Sequence, residues 1–222
     1  MTTRIANIIS IAGIIALAAY TAFMYSGLPD PMPTHWDAAG QANDYMSKPA
    51  GAVVLAAVPL FIFFIFKLIP VISPRGFRTE SFAGVLNILM AATVIFGCVI
   101  SVAAIEAALG ADFNISTVVM VSVGFLLIVM GNFLGKVRKN FFLGIRTPWT
   151  LASDEVWAKT HRLGGWCFVI GGVLVALSAV FIPNLEWLVY IIIGAALIPV
   201  VYSYIAYRKV EGFEPDPDID EE

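Results

Sequence analysis

The chain has 222 residues, 59% of them hydrophobic and only 13% charged, with a mean hydropathy of +0.87. A soluble domain carries about 25% charged residues, so this composition excludes an ordinary soluble globule and, with apolar runs of about 20 residues, predicts an integral membrane protein. The formal net charge of −3 carries little information because the charges are clustered, and without a basic patch interleaved with exposed aromatics, direct binding of nucleic acid is not expected.

Six runs are long enough to cross a bilayer: residues 5–25, 50–70, 82–106, 115–134, 164–182 and 186–207. About 20 residues at 1.5 Å rise cover a hydrocarbon core of about 30 Å. Backbone groups in lipid must be satisfied within the segment, so each run is expected to be a helix. The first run follows the short start "MTTR". Its apolar core is longer than the h-region of a signal peptide, about 7–15 residues, so it reads as a retained span.

Between the first two spans lies "SGLPDPMPTHWDAAGQANDYMSKP", residues 26–49. Pro29, Pro31 and Pro33 alternate, which disfavours helix and predicts an extended or polyproline II path across the mouth of the bundle. Gly40 permits a turn, and Pro49 suits the first turn of the second span. Trp36 fits an interfacial anchor or, with His35, a ligand-facing position. His35, Asp37 and Asp44 invite comparison with a metal site. Zinc takes three or four ligands, usually with more His or Cys, and the chain has only two histidines, placed below on opposite faces of the membrane. No metal and no cofactor is expected. Cys98 and Cys167 fall inside apolar runs and read as small buried hydrophobes, not as a disulfide framework.

Polar residues inside the spans are few. The central thirds contain no Asp, Glu, His, Lys or Arg, and Glu106 lies near the end of the third span. Asn87, Thr93, Ser101, Ser122 and Asn132 are the notable polar side chains, and such groups commonly bond within or between helices. Gly131 and Gly135 form a GxxxG that suits helix packing. Ion-coupled transporters usually carry ionisable residues within spans, so a small-molecule or ion transporter or channel is the alternative reading, not the first.

Residues 135–163 form the second long connection. Gly144 and Pro148 predict a turn or extended strip over "LGIRTPW". Ser153 is a good N-cap, with Asp154 and Glu155 suited to the first helical turn and Glu155–Lys159 at i, i+4. A short helix over about 154–163 should therefore run into the fifth span. Val156, Trp157 and Thr160 share one side, and Glu155, Lys159 and Arg162 another, as in an amphipathic helix at the headgroup level. Trp149, Trp157 and Trp166 would mark that boundary. Ser153, Asp154 and His161 do not make a convincing catalytic triad. Eight positions separate Ser153 from His161, about 12 Å by helical rise, the serine is wanted as a cap, and His161 is better suited to bonding its own loop. No catalytic residue is expected. The tail "VEGFEPDPDIDEE" is mostly acidic and reads as a solvated, disordered end.

Charge sets the orientation. With the N-terminus inside, Lys48 is the one basic residue of 13 on the outer side, leaving twelve inside, as the positive-inside rule requires. Both termini and residues 135–163 are then cytoplasmic, and residues 26–49 are outside. The fold class expected is all-α: a polytopic membrane protein with six transmembrane helices and a short cytoplasmic interfacial helix. It forms a single membrane domain, residues 1–209, with an acidic tail at 210–222. Multi-pass insertion in the cell membrane makes membrane lipids its first partners.

The order of residues in the two long loops adds a resemblance. "LGIRTPWTLASDEVWAKTHRLGG" closely resembles the signature of the SdpI family, bacterial membrane proteins giving immunity to a secreted toxin, the sporulation-delaying protein. "LPDPMPTHWDAAGQANDYMSK" resembles the first-loop motif of the uncharacterised N-terminal domain that accompanies that family. Gly144, Arg146, Thr147, Pro148, Trp149, Thr150, Trp157, His161 and Gly164 match the inner motif. Pro33, His35, Trp36, Gly40 and Lys48 match the outer one, and Asp37 joins them as part of the outer loop. The resemblance implies protection from a membrane-active peptide toxin sensed by the outer loop. It also implies signalling, in which the toxin-engaged protein holds a cytoplasmic transcriptional repressor at the membrane through the inner loop.

Overall fold

A computed structural model describes residues 1–75, 79–182 and 186–213. Seven helices and one hairpin follow in order. They are α1 (Thr3–Met24), β1 (Met32–Trp36), β2 (Ala42–Met46), α2 (Lys48–Ile72), α3 (Ala83–Ala108), α4 (Ile115–Leu134), α5 (Pro148–Ala152), α6 (Asp154–Phe181) and α7 (Leu188–Val210). Six of the helices, all except α5, are long and apolar enough to cross a membrane. This is the all-α polytopic architecture that the apolar runs predict.

The helix starts follow capping chemistry. The Thr2 and Asn114 side chains accept from the amides of Ile5 and Thr117 at the heads of α1 and α4. Ser153 Oγ accepts from the Val156 amide, with Asp154 and Glu155 in the first turn of α6. A side-chain oxygen there satisfies a donor with no partner in the helix, and the acids complement the positive end of the dipole. The helix expected over 154–163 is present and continuous with the fifth span.

Three local expectations are corrected. Of the extended or polyproline II path expected over 26–49, the extended form is present, but as one arm of an antiparallel hairpin, with Met32 opposite Met46 and Pro33 opposite Tyr45. The "LGIRTPW" strip gives way at Pro148 to the short helix α5, capped by Thr147. A proline at the first helical position loses only an amide that would have had no partner there. Trp157 is buried at 4% exposure, with Val156 and Thr160 at 0%. The apolar side of this segment therefore faces protein, not headgroups. Trp166, 65% exposed, does face outward. Of the predicted acidic tail, Val210 ends α7 and Phe213 packs on Tyr204 and Tyr207; residues 214–222 lie outside those described.

The spans associate as two groups. Helices α1, α2 and α3 pack together, as do α4, α6 and α7, and α3 against α4 joins them. The first group shares a core of Leu17, Phe63, Met90, Val94 and Ile105. Polar groups tie it further. Tyr20 Oη donates to the Glu106 carboxylate, Asn87 donates to Thr3 Oγ1 (3.0 Å), and Ser101 donates to the Leu55 carbonyl (2.8 Å). Asn87 and Ser101 thus bond between helices, whereas Thr93 and Asn132 donate to carbonyls of their own helices, Leu89 and Ile128.

In the second group, α4 and α6 meet backbone to backbone. A methyl group on Gly131 would sit 2.6 Å from the Gly165 carbonyl oxygen, and one on Gly124 would sit 2.6 Å from that of Gly172. The close contacts therefore repeat at seven residues on both helices. Gly135, the other half of the predicted GxxxG, makes no such approach: a methyl there would meet its nearest neighbour, Arg162 Cα, at 3.9 Å. Cys98 is buried, Cys167 half-buried, and both are free.

Candidate functional site

The two motif-bearing segments lie at opposite ends of the bundle. At one end, Asp37 builds the hairpin turn. Its Oδ1 accepts from the amides of Ala39 and Gln41, both at 2.9 Å, a local substitute for backbone pairing typical of Asp in turns. Gly40 takes φ +81°, open to glycine at no steric cost, and a methyl there would meet Asn114 Oδ1 at 2.9 Å. Ser116 Oγ donates to the Asp37 carbonyl (2.7 Å) and Asn114 Nδ2 to that of Ala39 (3.3 Å). The turn is thereby docked on the head of α4.

The docked hairpin roofs a cavity of about 390 Å³ between α3 and α4. Trp36 packs over its floor beside Ala104 and Ile115. Leu55, Ile100, Val119 and Met120 complete the apolar lining, while His35, Asp37 and Ser116 supply its polar rim. His35 Nδ1 donates to Asn43 Oδ1 (2.6 Å) across the hairpin, which fixes the ring. A volume in the range of small-molecule sites, about 300–1,000 Å³, with apolar walls and few polar groups suits an apolar side chain or the face of an amphipathic peptide. The Ser116 hydroxyl at the rim is committed to the Asp37 carbonyl, and the cavity presents a binding surface.

Of the predicted outer residues, His35, Trp36 and Asp37 come together at this cavity. The others shape its frame. Pro33 is buried in β1. Lys48 ties the head of α2 to the end of α1: its amide donates to Asp30 (3.1 Å), and its ammonium donates to the Ser26 carbonyl (3.2 Å) and sits 4.9 Å over the Tyr25 ring.

At the opposite, basic end the loop folds around buried polar side chains. Asn140, fully buried, accepts from the amides of Phe142 and Leu143 and donates to the carbonyls of Arg138 and Leu143. His161, also fully buried, accepts at Nε2 from the Ile145 amide (3.0 Å) and donates from Nδ1 to the Trp157 carbonyl (2.8 Å). Those two bonds fix a neutral tautomer with the proton on Nδ1. Trp157 stacks on that ring at 3.9 Å, and its indole N–H donates to the Val137 carbonyl (2.8 Å).

Gly144 has φ +106°, and any β-carbon there would collide with His161 Nε2. Thr147 and Thr150 form a reciprocal capping box, and Thr147 Oγ1 lies 2.9 Å from Ser203 Oγ of α7. Trp149 meets Tyr204 edge-on. Gly164 leaves room for Ile145, whose Cδ1 would lie 2.5 Å from a methyl there. Arg146 is exposed and donates to the Phe141 carbonyl; Pro148 is exposed as well. Thr147, Thr150, Trp157 and His161 thus bond within the fold, and Arg146 is the motif's outward-facing charge.

Several residues of these sites carry no mark in the motifs. Asn140 is one, although an Asn that holds a turn through its own neighbours is a recurrent device. Leu55, Ile100 and Val119 are others, joined only by the tertiary fold. Asn114 is different, because an Asn directly before an apolar run is a cap signal.

Comparison with known proteins agrees with this layout. Residues 136–206 match the model of the SdpI/YfhL protein family, and residues 12–60 match a domain of unknown function, DUF1648. The second match falls on α1, the hairpin and the head of α2, and the first on the basic-end loop with α6 and most of α7. Over 211 residues the chain is 28% identical to the "Immunity protein SdpI" of Bacillus subtilis (strain 168), an alignment covering 93% of this chain and 98% of that protein. No solved structure matches. Both long loops and the six-span frame thus agree with the similarity: residues 136–206 resemble the SdpI/YfhL protein family, and residues 12–60, ahead of them, resemble the DUF1648 domain.

Proposed function

We propose that this protein protects its cell from a secreted, membrane-active peptide toxin by binding it at the hairpin end, without catalysis. The observation that carries the reading is near full-length similarity to an immunity protein, combined with an apolar cavity under the hairpin lined by His35, Trp36 and Asp37. A membrane-active peptide exposes apolar side chains on one face. Such a face could seat in the cavity while the polar rim holds its backbone or charged groups.

Charge supports the orientation in this reading: with both termini and the basic-end loop cytoplasmic and the hairpin outside, twelve of the 13 basic residues fall on the inner side, as the positive-inside rule favours. A toxin arriving from outside would meet the hairpin first. In the same reading, the cytoplasmic surface around Arg146 is where a repressor would be held. The guanidinium offers a planar fork for a carboxylate that Lys cannot reproduce.

The reading is tested by expressing the protein in a sensitive strain and challenging it with a panel of membrane-active peptides. Survival should rise for at least one peptide. It should return to the empty-vector level in the His35→Ala, Trp36→Ala double variant at unchanged membrane abundance. Protection that persists in that variant would remove the hairpin site from the account.

A further inference from the structure

Helices α3 and α4 touch but do not seal along their length. At the basic end, a cavity of about 1100 Å³ opens between them. Its walls are apolar on the α3 side, with Val85 and Ile88, and its mouth carries Lys136, Arg138 and Lys139. One turn further along both helices, Ala92 of α3 and Val129 of α4 begin an apolar groove of about 430 Å³, which runs to Val99 on one side and Val121 on the other. Ser122 is the one polar residue of its lining. The two cavities follow consecutive turns of the same two helices and form a seam that is cationic at one end and apolar beyond.

The charges at the mouth are cancelled only in part. Lys139 pairs with Asp154 at 2.7 Å, the one acid among the lining residues. Lys136 and Arg138 are exposed, and Lys136 lies over the Phe133 ring, 5.1 Å from its centre. Length also fits. From Ile88 to Val99 the helix rises about 16 Å, close to the thickness of one leaflet of a hydrocarbon core of about 30 Å.

We infer that this seam holds one anionic glycerophospholipid, its phosphate between Lys136 and Arg138 and an acyl chain laid along the groove from Ile88 to Val99. Basic pockets between helices on the cytoplasmic side suit anionic headgroups, and the apolar groove is matched by a chain that no soluble anion possesses. The lipid would fill the gap between the two helix groups where protein packing leaves it open.

The test is native mass spectrometry and thermal unfolding of the full-length protein in a neutral detergent, with phosphatidylglycerol, phosphatidylcholine or inorganic phosphate added. The seam predicts one retained phosphatidylglycerol per chain and a raised unfolding midpoint. Phosphatidylcholine should bind at least tenfold more weakly, and phosphate alone should have no effect. Lys136→Gln with Arg138→Gln, both at exposed positions, should remove the preference for the anionic lipid while leaving the lipid-free midpoint unchanged. Ala92→Phe, which fills the groove, should weaken retention with the charges intact.

Equal retention of both lipids, or protection by phosphate alone, would overturn the assignment. So would unchanged retention in either variant. Two copies of the chain found together, and separated by Ala92→Phe, would show that a second protein molecule occupies the groove instead.

Discussion

Gly144 shows how one residue of the motif is fixed by two physical demands at once. Its φ of +106° is strained for any side chain, and a β-carbon would collide with the His161 ring. The backbone strain alone costs about 1–3 kcal/mol. Gly110 separates the two effects, because its φ is +85° with nothing within 4 Å of a β-carbon. Gly110→Ala should lower the thermal midpoint modestly. Gly144→Ala should lower it clearly more, because it also breaks the Ile145–His161 bond. Equal shifts in the two variants would mean that the His161 contact contributes nothing. At this scale the sequence was partly legible. Gly144 as a bend, Ser153 as a cap and His161 as a partner of its own loop follow from residue type and spacing. Trp157 was misread, since indole is as suited to a headgroup boundary as to a buried bond, and only the burial of its N–H against Val137 decides between them.

At the scale of elements, helix existence was legible and helix contact was not. Twenty apolar residues specify a span, but they do not say which face meets a neighbour. The GxxxG at Gly131 and Gly135 points to one side of α4, and the fold uses Gly124 and Gly131 instead, facing Gly172 and Gly165 of α6. Gly131→Ala should therefore push the helices apart and destabilise the protein by about 1–3 kcal/mol, the usual range for overpacking, read as a lower unfolding midpoint in detergent. Gly194→Ala, with open space around it, should be neutral or slightly stabilising, as Ala favours helix. A neutral Gly131→Ala would contradict backbone-to-backbone packing of α4 on α6. Two of the local corrections involve proline. Pro148 disfavours helix at Thr147, but the Thr147–Pro148 pair is also a helix start, as Pro49 is for α2. The spaced prolines near residue 30 also leave room for pairing: Met32 and Trp36 still find partners in β2.

At the scale of the whole molecule, the two family segments fall on different helix groups, with the hairpin cavity at their junction on one end and the cationic cavity on the other. The six spans follow from hydropathy alone, and the basic residues give them an expected polarity. The cavities follow from neither, because they arise where α3 and α4 fail to close. The orientation is checked with single cysteines in a background lacking Cys98 and Cys167. Ser47→Cys beside the hairpin and Ala152→Cys at the end of α5 are both exposed positions. In intact cells, an impermeant thiol reagent should label the first and spare the second until the membrane is opened. The reverse pattern would invert the topology and place the hairpin where no secreted toxin reaches it.

The central claim is that a toxin is met in the cavity beneath the hairpin, and filling that cavity tests it most directly. Val119 lines it from α4, away from the hydrogen bonds that dock the turn, so Val119→Trp should occupy the space and leave the frame standing. The measurement is the toxin concentration that halves survival of cells carrying the variant or the wild type, with membrane abundance matched. The account predicts at least a tenfold fall in that concentration for Val119→Trp, while Val129→Trp, in the separate apolar groove, keeps protection at the wild-type level. Full protection by the Val119→Trp protein would contradict it.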